Sequence, residues 1–253
     1  MIIYTYQPQD LIDLVQEKRV AAVEFVKTNL YKNTQNETGS QQLHNAYMWM
    51  ARKLGEKTGW WMREIYGDTL DIPKDAEGDY IDEKGRKLPV LPFWGWYLTD
   101  GKNQKPDPGM YCFDSRVTGV AGEWCMNESK TMLLTLDIPE KMVLLSDANA
   151  WYCVLEGRPC YDYEEESEEK ERLEAYRNSC AAFLSMPQKT VKQREAKVAA
   201  AEKLWQECTC SWDNILRLEG RRLKNYMGEM ECYDVQAVFP IILKDWIVKV
   251  ENV

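Results

Sequence analysis

Residues 92–98, PFWGWYL, crowd four aromatic side chains around one glycine. The fold turns on how that stretch is read. As a β-strand, strict alternation puts Phe93, Gly95 and Tyr97 on one face and Trp94, Trp96 and Leu98 on the other. One of those faces must be core, so half of the cluster is structural. Two readings stay open for the other face: a strand buried on both sides in a layered domain, or the wall of a cleft. In a cleft, the missing side chain of Gly95 leaves room for a ligand's ring against its aromatic neighbours.

Working outward, IIYTY (2–6) reads as a strand. It runs into a helix with Pro8 at an early position and an apolar face of Leu11, Ile12, Leu14 and Val15. VAAVEFV (20–26) is ambiguous between strand and short helix. After the polar stretch NTQNETGS (33–40), Ser40 is placed to cap a helix carrying Leu43, Tyr47, Met50 and Leu54 in one stripe. Residues 67–90, rich in Gly, Pro and Asp, predict an excursion of turns with a small hairpin around Lys84 and Gly85. Further strands are expected at VLPFWGWYL, MYCF (110–113) and TMLLTLDI (131–138). MVLLS (142–146) follows, with Ser146 as the cap of a helix through DANAWYCVLE that Gly157 stops.

From Cys160 the character changes. Asp162 to Glu174 holds eight acidic residues against Lys170 and Arg172. The two helical segments on either side of Pro187 predict an antiparallel pair. Leu173, Tyr176, Cys180, Phe183 and Leu184 of the first would face Val191, Val198, Leu204 and Trp205 of the second. The expected organisation is one domain over 1–253, with residues 160–209 as a helical insertion or lid. A short capped helix from Ser211 precedes YDVQAVFPIIL (233–243) and WIVKV (246–250); Pro240 lacks a ladder N–H, so its strand is expected at an edge or bulged. This order of strands, loops and helices is an α+β signature.

Ten tryptophans and a 45% hydrophobic fraction in 253 residues indicate a folded globule with a sizeable core. A net charge of −9 disfavours a nucleic-acid scaffold as partner, because neutralising phosphates takes clustered Lys and Arg. No run of residues approaches a membrane span, and the N-terminus does not read as a secretion signal. The eight cysteines are scattered through a long chain, which suits reduced thiols and a cytoplasmic location.

His44 is the one histidine, on a helix with a core face, so nucleophile–histidine devices have a single possible base. No HExxH, GxxxxGK[ST], GxGxxG or CxxC occurs, and Cys208 and Cys210 are too close for a zinc knuckle, so no metal is expected. The run EEESEEKE (164–171) reads as a solvated helix start.

Seven segments in order resemble a bacterial and phage family, domain of unknown function 3841. They are YTYQP (4–8), AYMWM (46–50), PFWGWY (92–97), KPD (105–107), LLSDANAWYCVL (144–155), SWDNIL (211–216) and VQAVFPIILKDWIVKV (235–250). Two positions depart from the family's pattern: Tyr152 stands where a histidine is usual, and Pro240 where an aromatic is usual.

A more distant likeness ties IIYTYQP, LLTLDIPEKMVLLSD and VQAVFPIILKDWIVKV to the first, middle and last strand regions of ADP-ribosyltransferase-like folds. That resemblance implies a split mixed or antiparallel β-sheet with peripheral helices around a cleft for NAD. It implies Gln236 near the position of the glutamate that polarises the nicotinamide ribose, with Glu229 or Glu231 as alternatives. It sets Thr5 where many members have histidine or arginine, and Tyr4, Gln7, Trp94, Trp96 and Tyr97 as the nucleotide-binding surface. A neutral glutamine binds a hydroxyl but adds no charge to a developing oxocarbenium. The expected function is an ADP-ribosyltransferase-like NAD-binding domain, with transfer of ADP-ribose to a macromolecule as its implied activity. The rival expectation is a noncatalytic interaction module of a phage or mobile element, whose acidic helices bind a basic protein.

Overall fold

A computed structural model describes residues 1–22, 38–65, 70–107, 131–161, 166–218 and 234–252. The chain divides into two compact units, Met1–Asn149 with Gly220–Val253, and Ala150–Glu219.

The first unit is built on β1 (Ile2–Pro8), α1 (Gln9–Lys18), β2 (Val20–Ala22), α2 (Thr38–Thr58), β3 (Phe93–Leu98), β4 (Thr131–Asp137), β5 (Leu144–Asp147), β6 (Val235–Phe239), β7 (Ile241–Leu243) and β8 (Ile247–Asn252). Six strands pair in the order β5-β6-β3-β1-β4-β8, and β2 pairs with β7 in a second, two-stranded sheet. Every one of these pairings is antiparallel. The class is therefore α+β on an antiparallel sheet, and PFWGWYL supplies a central strand.

Both faces of that strand are covered. On one, Ile3, Phe93, Leu134, Leu136, Ala237 and Phe239 form a core with Leu11, Ile12 and Val15 of α1, closed by Ala21 and Ile242. Phe93 and Phe239 stack across the β3–β6 pair, 6.0 Å between centroids. On the other, the ring of Tyr47 in α2 meets Trp94 edge to face at 6.2 Å. Tyr47, Met50 and Leu54, the stripe expected from their spacing, are buried, each contributing about 1.5–3 kcal/mol of transfer free energy. Leu43 is half-buried.

Local expectations fare unevenly. The hairpin around Lys84–Gly85 is present: Ile81 bridges Lys87, and Gly85 takes φ 73°, where a side chain would be strained. It belongs to a small satellite core of Met62, Tyr80 and Val90. Ser40 is not a helix cap, because α2 is already helical at Thr38. Ser146 is not one either: it is a strand residue of β5, and the helix after it starts beyond Ala150. Pro240 is not on an edge strand, since β6 lies between β5 and β3. Its missing N–H ends β6, and the chain leaves the large sheet there to pair as β7 with β2. Of VAAVEFV, Val20–Ala22 is strand; residues 23–26, MYCF, Glu229 and Glu231 lie outside the described residues.

The second unit holds α3 (Trp151–Leu155), α4 (Glu166–Ser185) and α5 (Val191–Ser211), followed by a 3₁₀ turn, Trp212–Leu216. It exceeds the expected 160–209 insertion at both ends, and the hydrogen bonds show why. Trp212 Nε1 donates to the Arg158 carbonyl at 2.8 Å, Asn214 Nδ2 to the Cys160 carbonyl at 2.9 Å, and the Cys160 amide to Ser211 Oγ at 2.8 Å. These tie the loop after α3 to the end of α5. Gly157 stops α3 at φ 62°, with its own N–H and that of Arg158 returning to the carbonyls of Val154 and Cys153. Thr190 caps α5 in a reciprocal box with Gln193. Leu173, Tyr176, Cys180, Phe183 and Leu204 are half-buried along the pair. Leu184, Val191, Val198 and Trp205 are not in that seam; they are exposed, Leu184 at 72% and Val191 at 62%.

Candidate functional site

The strand registers place one row of side chains across the large sheet. Ser146 on β5 lies opposite Gln236 on β6, which lies opposite Trp96 on β3, which lies opposite Tyr4 on β1. Tyr4 in turn is opposite Thr135 on β4, and Thr135 opposite Lys249 on β8. Residues directly paired in antiparallel strands share a face, with neighbouring strands about 4.8 Å apart. The row is graded: Ser146, Gln236 and Trp96 are buried, Tyr4 and Thr135 half-buried, and Lys249 exposed. Trp94, two residues from Trp96, stands on the same face and packs against Tyr47.

The buried end of the row carries an imbalance of hydrogen bonding. Gln236 is 4% exposed and Ser146 fully buried, yet neither Gln236 Oε1 nor Ser146 Oγ has a hydrogen-bond partner. Thr99 Oγ1, just beyond the end of β3, is also buried without a partner. Leaving such a group desolvated and unpaired costs about 1–3 kcal/mol. Folded proteins keep few of them, and each calls for an explanation. Two carboxylates are close by in sequence: Asp234, two residues before Gln236, accepts from the Asp100 amide at 2.9 Å, and Asp147, which alternates with Ser146 and so turns to the other face of the sheet, accepts from the Asn149 amide at 2.9 Å. Both are buried.

Of the residues singled out in the sequence, the structure brings Tyr4, Trp94, Trp96 and Gln236 to one face. It sends Thr5, Gln7 and Tyr97 to the other. Tyr97 packs on the Phe93–Phe239 core. Thr5 is fully buried, and its hydroxyl donates to the Trp94 carbonyl at 2.6 Å, a structural bond. Gln7 Nε2 donates to Thr5 Oγ1 at 2.8 Å. Gly95 leaves no room for a ring either, because Ile3, Tyr4 and Phe239 already fill the space beside it. Sequence reasoning missed Ser146, Thr99 and Asp234. The alternation of Asp234, just before β6, with Gln236 and Val238 on it was the signal for the last.

Elsewhere, Asp75, Glu77 and Asp79 bring three carboxylate oxygens within 4.8 Å of one another. The gap between them is taken by a cation of the chain itself. Lys87 Nζ lies 2.8 Å from Asp79 and 3.2 Å from Asp75, and also pairs with Glu77; Arg63 reaches Asp79 at 2.9 Å. Bonds from its ammonium to Asp79 and Glu77 hold Lys87 well above the usual lysine range. This is a closed ion-pair network. His44, half-buried on α2, is held below the ordinary histidine range by burial. Among the described residues no helix is long and apolar enough to cross a membrane.

A family model described as "Domain of unknown function (DUF3841)" matches residues 75–248. No curated protein and no solved structure matches the chain.

Proposed function

The chain belongs to that family, and from its own residues we propose an ADP-ribosyltransferase-like domain that binds NAD or a related nucleotide on the α2-facing side of its sheet. The observation that carries this reading is the unpaired, buried Gln236 Oε1, set in one cross-strand row with Trp96 and Tyr4. Aromatic rings beside an oriented amide suit a flat heterocycle: the rings give it a surface to stack on, and the amide fixes its rotation.

Each residue has a limited role. Trp96 and Tyr4 flank the bound ring, Trp94 braces Trp96's face against Tyr47, and Gln236 accepts a hydrogen bond. Gln236 is neutral, so it orients a nucleotide without stabilising positive charge at a ribose carbon. Transfer of ADP-ribose to a macromolecule is the finer part of the proposal and calls on a carboxylate, for which Asp234, just before β6, stands nearest in sequence. Calorimetric titration with NAD tests the binding, with Gln236→Ala expected to weaken it about tenfold or more. No heat at millimolar nucleotide overturns the reading. Labelled NAD incubated with cell extract tests transfer separately.

A second reading, a noncatalytic module binding a basic protein, is favoured by one observation on α5. Val191, Val198 and Trp205 are exposed at intervals of seven residues, with Arg194, Glu195 and Glu202 between them, so the apolar stripe rather than the charge carries this reading. A stripe of that spacing suits a partner helix. Titrating isotope-labelled protein with a basic amphipathic peptide should shift the resonances of these three residues; unmoved resonances sink it.

A further inference from the structure

We propose that β8 is the strand through which two copies of this chain associate, pairing antiparallel about a two-fold axis at Val250, so that their large sheets run on as one. The proposal stands apart from both functional readings and names a surface that neither uses.

β8 is the last strand in the order β5-β6-β3-β1-β4-β8, paired with β4 on one side. Among the described residues no strand lies on its other side. Such an edge presents a row of backbone N–H and C=O groups that a further strand can complete. Apolar surface lies along it as well: Val248 is 62% exposed and Val250 38%. Among the described residues they are the only large hydrophobic side chains of the first unit left so open. Edges are commonly blunted by a bulge or a lysine, and β8 carries both. Its pairing with β4 steps from Ile247 to Lys249, passing over Val248. That lysine discourages an arbitrary strand, yet it suits a second copy of β8.

Register decides this. Directly opposed residues of an antiparallel pair share a face, so two copies of one strand related by a two-fold axis must centre on a residue that faces itself. A centre at Lys249 sets ammonium against ammonium, and one at Glu251 sets carboxylate against carboxylate; like charges directly opposed are destabilising. The centre at Val250 sets Lys249 against Glu251 of the second copy, and does so twice. Glu251 is already oriented for it, held by Lys105 at 2.6 Å and by Lys249 of its own strand at 2.9 Å. Val250 lies opposite Leu134 on β4, a residue of the α1-side core, so the apolar row continues through Val250 to its copy.

One strand pair is a small interface, under the roughly 1,200 Å² of stable complexes, so the association should depend visibly on concentration. Sedimentation velocity on the full chain from about 1 to about 300 μM should show monomer passing into dimer. Lys249→Glu and Glu251→Lys should each weaken that step about tenfold or more. An equimolar mixture of the two variants should restore the dimer, because each exchanged charge then faces its opposite. Melting curves check that both variants fold. Val250→Cys supplies a reading free of charge changes: with oxidised glutathione, two protein thiols give one disulfide and two molecules of glutathione, and peptide mapping should find position 250 joined to itself. A native chain that stays monomeric throughout overturns the proposal and gives the edge to another protein's strand or to solvent. A dimer that survives both charge variants, or a mixture that restores nothing, overturns it too.

Discussion

A Cβ placed on Gly95 would stand 2.5 Å from Ile3 Cγ2, on the neighbouring strand β1. It would also stand 2.9 Å from the Tyr4 carbonyl oxygen and 3.4 Å from Phe239 Cε1. Ile3 could turn aside, but the carbonyl is backbone in the middle of a sheet and cannot. Gly95→Ala should therefore destabilise the protein by about 2–3 kcal/mol, read as a lower denaturation midpoint in urea. Were Gly95 instead opening space for a ligand, the variant would keep its stability and lose only binding. An unchanged midpoint would sink the packing account.

That contact also marks what the sequence could and could not disclose. Period-two alternation in FWGWYL told which residues share a face, and the structure agrees: Phe93 and Tyr97 join the α1-side core, and Trp94 meets Tyr47 opposite. The same rule separates Thr5 and Gln7 from Tyr4, so grouping them as one surface contradicted a pattern already in view. Gly95's neighbours were not legible, because Ile3 and Phe239 reach it from strands 92 and 144 residues away along the chain. Ser146 was misread for a related reason. SDAN has the local chemistry of a helix start, and only pairing with β6, some 90 residues on, makes Ser146 a strand residue. The Ser146–Gln236 couple exists at the level of register, which local propensity does not encode.

Lys87 sits among Asp75, Glu77 and Asp79 as a metal ion would, so the cluster should ignore divalent cations. Adding calcium or magnesium at millimolar concentration should leave the melting temperature unchanged. Replacing Lys87 by Met leaves Asp79, whose side chain is 2% exposed, with Arg63 alone, 2.9 Å away. Removing one partner from a buried charge is strongly destabilising. The variant should melt lower than the native chain, and added calcium should now recover part of the loss. A native protein stabilised by calcium would show that the ammonium does not close the site.

The thiols of the second unit should differ sharply in reactivity. Cys210 is exposed, whereas Cys208 is buried and its Sγ donates to the Gly157 carbonyl at 3.3 Å. Burial pushes the Cys208 thiol up to about 11, partly opposed by bonds from Tyr176 and Trp212. At pH 8 its reactive thiolate is then about one part in a thousand. Brief iodoacetamide treatment followed by peptide mass spectrometry should find Cys210 modified first of the pair and Cys208 essentially protected until denaturant is added. Linkage adds a second expectation. A raised folded pKa means the stabilising term is whole below pH 9 and fades as pH climbs towards 11. Equal labelling of the two cysteines in native buffer would contradict the packing of α5 on the loop at Gly157.

His44 sets the acid side of the stability profile. Burial on α2 lowers its pKa from the 6.5 of a free histidine. The sign follows from proton counting. Above pH 6.5 the group is neutral in both folded and unfolded chains and contributes no slope. As pH falls below 6.5 the unfolded chain takes up a proton that the folded chain still refuses, so unfolding gains and stability drops. The decline continues until the folded side chain is protonated too. Melting temperatures measured from pH 7.5 to 5 should fall, and His44→Gln, which keeps hydrogen-bonding capacity without titrating, should flatten that fall. Carboxylates shared by both proteins titrate mostly lower, so the difference between the two curves isolates the histidine. Identical curves would mean His44 is as solvated in the folded chain as in the unfolded one.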